Sequence, residues 1–94
     1  MTRRPRVRLQ APSDVVFRDL GGESVILDLR AGTYFGLNES GTRVWQLIEQ
    51  HGTVDAVCDH MVREFEVERN AVVHDVGVLV DQLIARGLLQ TVDE

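Results

Sequence analysis

The chain has 94 residues, one cysteine, 44% hydrophobic content and a formal charge of −5. That length supports a single core and excludes a second domain, and it leaves little room for a deep enclosed active site. The acid balance, with a pI near 5.1, weakens any general attraction to nucleic acid or anionic lipid, which would need a basic face. Cys58 stands alone, so no intrachain disulfide forms and a reducing, cytoplasmic setting is expected. No apolar run approaches the roughly 20 residues that span a bilayer.

Charge and periodicity both divide the chain near Asn38. Residues 1–38 carry six Arg against four acids, and residues 39–94 carry four Arg against eleven. The first part shows short β-type runs between turn residues, and the second shows helical spacing. Residues 1–12 read as a flexible Arg-rich tail, although Val7–Leu9 is also compatible with a short edge strand. Residues 13–92 read as the folded domain.

Within it, residues 15–20, 24–29 and 33–37 are β-branched or aromatic runs separated by Gly21-Gly22 and Ala31-Gly32. Two-residue glycine breaks between such runs are hairpin signals, and they predict a three-stranded antiparallel meander. Asn38 then caps a helix running to about Gln50, with Gly41, Val44, Trp45 and Ile48 on its buried stripe. Gly52 stops it, and Thr53 caps a second helix whose apolar positions run from Val54 through Val57, Cys58, Met61 and Val62 to Phe65. A third helix spans about Glu68 to Arg86. Val72, Val73, Val76, Leu79, Val80, Leu83 and Ile84 cover an arc of about 140°, wider than the roughly 100° needed to sit on a core. One edge of that helix is therefore available to a partner. Residues 88–92 form a short terminal strand or an apolar plug. The order is that of an α+β, winged helix-turn-helix-like domain, a three-stranded antiparallel sheet followed by three helices.

Catalytic signals are weak. Cys58 lies on the apolar face of the second helix and reads as a buried structural cysteine. His51 reads as a cation at a helix C-terminus, and His60 and His74 as residues of solvated faces. No CxxC or HxxxH spacing and no phosphate-loop glycine pattern occurs, so no catalytic residue, metal or cofactor is expected. A winged-helix chain invites a DNA-binding transcription regulator as the alternative. Residues 66–86, however, hold Glu66, Glu68, Asp75 and Asp81 against Arg69 and Arg86, and such a recognition helix repels phosphate.

A peptide-binding module fits better. Residues Thr33, Tyr34, Phe35, Gly36 and Leu37 form a candidate edge strand, open to pairing with an extended peptide. Alternation sends Tyr34 and Phe35 to opposite faces, one into the core and the other outward.

The stretch from Val25 to Ile48, with Leu27-Asp28-Leu29, Gly32, Tyr34-Phe35, Leu37-Asn38, Gly41 and Val44-Trp45 at fixed spacing, resembles the signature of PqqD-like proteins. These are the recognition elements of pathways that modify ribosomally made peptides. Gly52-Thr53-Val54-Asp55, Asp75-Val76 and Gly87-Leu88-Leu89 extend the resemblance over about residues 13–90. It implies a leader peptide docked as an added strand on Thr33–Leu37 and packed on the third helix through Val72, Asp75, Val76 and Leu79. Asp75, at the polar margin of the stripe, is suited to accept a hydrogen bond or pair with a cation. The chain departs from PqqD proper, which carries a Pro-Glu-Gly stretch where Asp28–Thr33 stand here. It looks more like the small stand-alone recognition proteins of lasso peptide clusters. That likeness implies a leader peptidase and a macrolactam synthetase (the cyclase), or other modifying enzymes, as partners. The acid balance and the lack of a long apolar run imply no nucleic acid and no membrane.

Overall fold

The computed structural model describes residues 7–93. In chain order these form β1 (Val7–Gln10), β2 (Val15–Asp19), β3 (Ser24–Asp28), β4 (Thr33–Leu37), α1 (Glu39–His51), α2 (Val54–Phe65), α3 (Arg69–Ala85) and β5 (Gln90–Asp93). Strands β2, β3 and β4 make an antiparallel sheet in that order, and β1 pairs with β5 in a separate antiparallel ribbon. The α+β, winged-helix-like arrangement expected from the sequence is therefore the one adopted.

Local chemistry explains the turns. Asp19 Oδ1 accepts from the backbone N–H groups of Gly21 and Gly22 at 2.9 and 3.1 Å, and both glycines take positive φ, 88° and 110°. Only glycine adopts two such residues in succession without steric cost. Asp28 repeats the device in the next hairpin, accepting from Arg30 and Ala31. The helix ends are equally well marked. Asn38 Oδ1 accepts from Gly41 N–H at 2.9 Å, Thr53 Oγ1 accepts from Ala56 N–H at 3.3 Å, and Gly52 closes α1 in the left-handed region at φ 78°. A Cβ at Gly52 would also lie 2.6 Å from the Arg8 guanidinium.

Ile26, Trp45, Leu47, Val57, Cys58 and Leu83 are fully buried at the centre of the core. Trp45 stacks on Phe17 with ring centroids 6.0 Å apart, joining α1 to the sheet. Below the sheet, the Ser24 and Thr42 hydroxyls meet at 2.7 Å. They satisfy each other inside the core, where an unpaired hydroxyl would be costly. On the outside, Arg43 and Glu64 form a two-bond pair between α1 and α2, one bond at 2.8 Å.

Of the two readings open for Val7–Leu9, the structure has the strand, since Val7–Gln10 is in register with Gln90–Asp93. Leu9 anchors it, buried against the core and donating its N–H to the Gly52 carbonyl at 2.6 Å; residues 1–6 lie outside the described residues. Two expectations need correction, at His60 and Phe65. His60 is half-buried and stacks on His51 at 4.2 Å between ring centroids, since the end of α1 and the middle of α2 meet there. Phe65, at core spacing in the sequence, is largely exposed because the last turn of α2 overhangs the core.

Candidate functional site

β4 is an edge strand. Among the described residues its one strand neighbour is β3, and the pairing matches Ile26 with Phe35 and Val25 with Gly36. Two bonds at the ends of the β2–β3 ladder fix its phase: Leu20 N–H donates to the Glu23 carbonyl at 2.7 Å, and Leu29 N–H donates to the Asp14 carbonyl at 2.9 Å. Hydrogen bonding in antiparallel pairs alternates along each strand. Val25 and Leu27 therefore bond toward β2, while Ser24, Ile26 and Asp28 bond toward β4. On β4, Thr33, Phe35 and Leu37 face β3, and Tyr34 and Gly36 direct their N–H and C=O groups to the open side. That row of backbone groups is a ready template for another strand.

Beside this edge lies a groove of about 700 Å³ between β4 and α3, within the size range of ligand-binding clefts. Phe35, Gly36 and Leu37 form one wall, and Val72, Asp75, Val76, Leu79 and Gln82 form the other. Val44 and Met61 lie at the base, where both are buried. Phe65 and Val67 supply apolar surface at the end near α2. The turn between those two residues places Glu66 in the left-handed region at φ 51°, a conformation costing a non-glycine residue roughly 1–2 kcal/mol. The lining is thus apolar in the middle, with polar groups from Asn38, Ser40, Asp75 and Gln82.

The residues singled out from the sequence are mostly brought together here. Seven of the nine, Phe35, Gly36, Leu37, Val72, Asp75, Val76 and Leu79, line this one groove. Thr33 and Tyr34 do not. The Tyr34 side chain is 72% exposed on the opposite face of the sheet, so its part in the edge is played by the backbone. Phe35 packs against the core, which settles which of the two aromatics points inward. Space around Gly36 is open, with nothing within 4 Å of where a Cβ would stand. Asn38, Ser40, Gly41, Val44, Met61, Phe65, Val67 and Gln82 also line the groove and are not read as site residues from the sequence. Asn38 carries a signal of another kind as a helix cap, and Gly41, Val44, Met61 and Phe65 as apparent core positions.

Burial pushes the Cys58 thiol up, only partly opposed by Arg69, and a protonated thiol is a poor nucleophile. Among the described residues no group of three His, Cys, Asp or Glu side chains is placed to hold a metal ion, and no helix is long and apolar enough to cross a membrane.

Comparison with known proteins bears on the same region. A family profile described as "Coenzyme PQQ synthesis protein D (PqqD)" matches residues 23–89, which include the groove walls. No curated protein sequence matches the chain. Two solved structures superpose closely. One, described as "TbiB1 in Complex with the TbiA(beta) Leader Peptide", has 32% identity and a TM-score of 0.81, covering 86% of this chain and 94% of that one. The other, "Lasso peptide synthetase B1 complexed with the leader peptide", shares the fold at 24% identity and a TM-score of 0.80, covering 88% and 98%. With most of its length matched in both sequence and fold, the chain belongs to the PqqD family.

Proposed function

We propose that this protein is a non-catalytic leader-peptide-binding module. It captures the leader of a ribosomally made precursor as a strand added to β4 and packs the leader's side chains into the groove against α3. The observation that carries this reading is the outward direction of the Tyr34 and Gly36 backbone groups directly beside an apolar groove. Main-chain bonds supply affinity in this mode, and side-chain pockets supply selectivity. The two superposing proteins are both described in complex with leader peptides, which supports the same use of the fold here.

The pathway is that of a lasso peptide, with the module acting in the cytoplasm and presenting the leader to a separate leader peptidase and macrolactam synthetase. The DNA-binding alternative gains no support from the matches, and the acids of α3 count against it.

Titration of the protein with the leader segment of a small precursor encoded beside its gene tests the reading. Saturable binding at micromolar concentration is expected. Absence of saturation with the protein folded overturns it.

A further inference from the structure

We propose that the groove is electrically polarised along its length and selects a peptide of matching polarity. The peptide carries a basic side chain at the Asp75 end and an acidic side chain at the Arg86 end, about five residues apart. This inference rests on the leader-binding reading and adds the chemistry of the bound segment.

At 100° per residue, positions 68, 75, 79, 82 and 86 fall within an arc of about 60°, and Asp75, Leu79 and Gln82 of that set line the groove. Read along the helix, this flank runs acid, acid, apolar, neutral amide, base: Glu68, Asp75, Leu79, Gln82 and Arg86. The opposite wall, Thr33–Leu37, carries no formal charge, so α3 and its caps set the polarity.

Neither charge is engaged by an ion pair of the fold. Among the described residues, ion pairs join Arg30 to Asp14, Arg43 to Glu64 and Arg69 to Asp59; Asp75 and Arg86 are in none of them. Arg86 is nonetheless held in place, its guanidinium carbon 5.0 Å from the centroid of the Phe35 ring. Stacking on an aromatic face fixes the planar group while leaving its N–H donors free for a carboxylate. Phe35 is itself a groove wall, so the cation is fixed at that end of the docking edge.

The spacing follows from helix and strand geometry. Asp75 and the C-cap Arg86 lie eleven helical positions apart, which is about 16 Å at 1.5 Å per residue. An extended peptide rises about 3.3 Å per residue, so about five residues bridge that length. Exposed pairs of this kind contribute little affinity each, but mismatched charges are penalised, so they act on register and choice of partner.

The test uses overlapping fluorescent synthetic peptides that tile the short reading frames adjoining the gene, with anisotropy as the readout. For the peptide that binds, Arg86→Glu and Asp75→Lys are each expected to weaken binding by about fivefold at low salt. Changing the peptide's acid to Lys is expected to restore binding to Arg86→Glu, and changing its base to Glu to restore binding to Asp75→Lys. Arg86→Gln, which keeps polarity without charge reversal, is expected to fall between. Effects below about twofold, or reversals in the peptide that fail to restore binding, overturn the charge proposal while leaving leader binding intact. If no peptide binds the unaltered protein, both readings fall. A purely helix-capping Arg86 would shift the melting temperature but show no rescue by the peptide.

Discussion

Helices α1 and α3 draw on similar apolar residues and use them differently. α1 buries Gly41, Thr42, Val44, Trp45, Leu47 and Ile48, and it is capped by Asn38 at one end and Gly52 at the other. α3 buries Val72, Val76, Val80 and Leu83 and has no side-chain hydrogen bond at its N-cap, Glu68. Val73, Val78 and Ile84 remain exposed, and Leu79 is half-buried in the groove wall. A helix enclosed by sheet, ribbon and a second helix fixes the fold. A helix covered on one side leaves a flank for something else to cover.

Mutation separates the two roles. Trp45 is 1% exposed, and Trp45→Ala is expected to lose about 3–5 kcal/mol in urea melts, enough to unfold much of the population of a small domain. Leu79→Ala is expected to cost stability about 1 kcal/mol or less and leader affinity about tenfold. Equal destabilisation by the two changes would break the contrast between the helices.

The edge of β4 sharpens it further. Gly36→Pro removes an outward N–H and is expected to weaken leader binding by about tenfold with little change in melting, since one hydrogen bond contributes about 1 kcal/mol. Phe35→Pro removes an inward N–H from the β3 ladder and is expected to lower stability and binding together. If Gly36→Pro retained full affinity, this segment would not be the docking edge. A smaller effect is expected at the α1 cap, where Asn38→Ala should cost about 1 kcal/mol in thermal or urea unfolding.

The smallest concerns Arg43 and Glu64 on the helical face. The hydrogen bond from Arg43 holds the Glu64 carboxyl below its usual range. A carboxyl lowered on folding adds stability above the unfolded value of about 4.3, and that stability is lost as pH falls through the lower folded value. Glu64→Gln should therefore melt slightly below the unaltered protein at neutral pH, by at most about 1 kcal/mol. The two curves should meet in strong acid.

Much of this arrangement follows from local chemistry. Asp19 and Asp28 pin turns whose glycines mark the strand ends, and Asn38, Gly52 and Thr53 mark the helix ends, so β2 to α2 emerge from short-range signals. The β1–β5 ribbon is different. It joins opposite ends of the chain through four-residue strands with no turn between them, and such short alternation does not distinguish a strand from a tail. The groove was half visible for a similar reason. Leu79, at one edge of the apolar arc of α3, lines the groove, whereas Val73 and Ile84 at the other edge are exposed on the far side of the helix. The arc thus announces a partly free helix without saying which flank, and Tyr34-Phe35-Gly36 announces an edge. That Phe65 overhangs the core and joins the groove depends on the chain reversing at Glu66, where no glycine signals a left-handed residue.

Amide hydrogen exchange on the protein with and without bound leader peptide tests the central claim most directly. The account predicts new protection at the Tyr34 and Gly36 amides, whose N–H groups face outward. Phe35 and Leu37, already bonded to β3, should change little. Saturable binding that left both Tyr34 and Gly36 unprotected would contradict strand addition at β4.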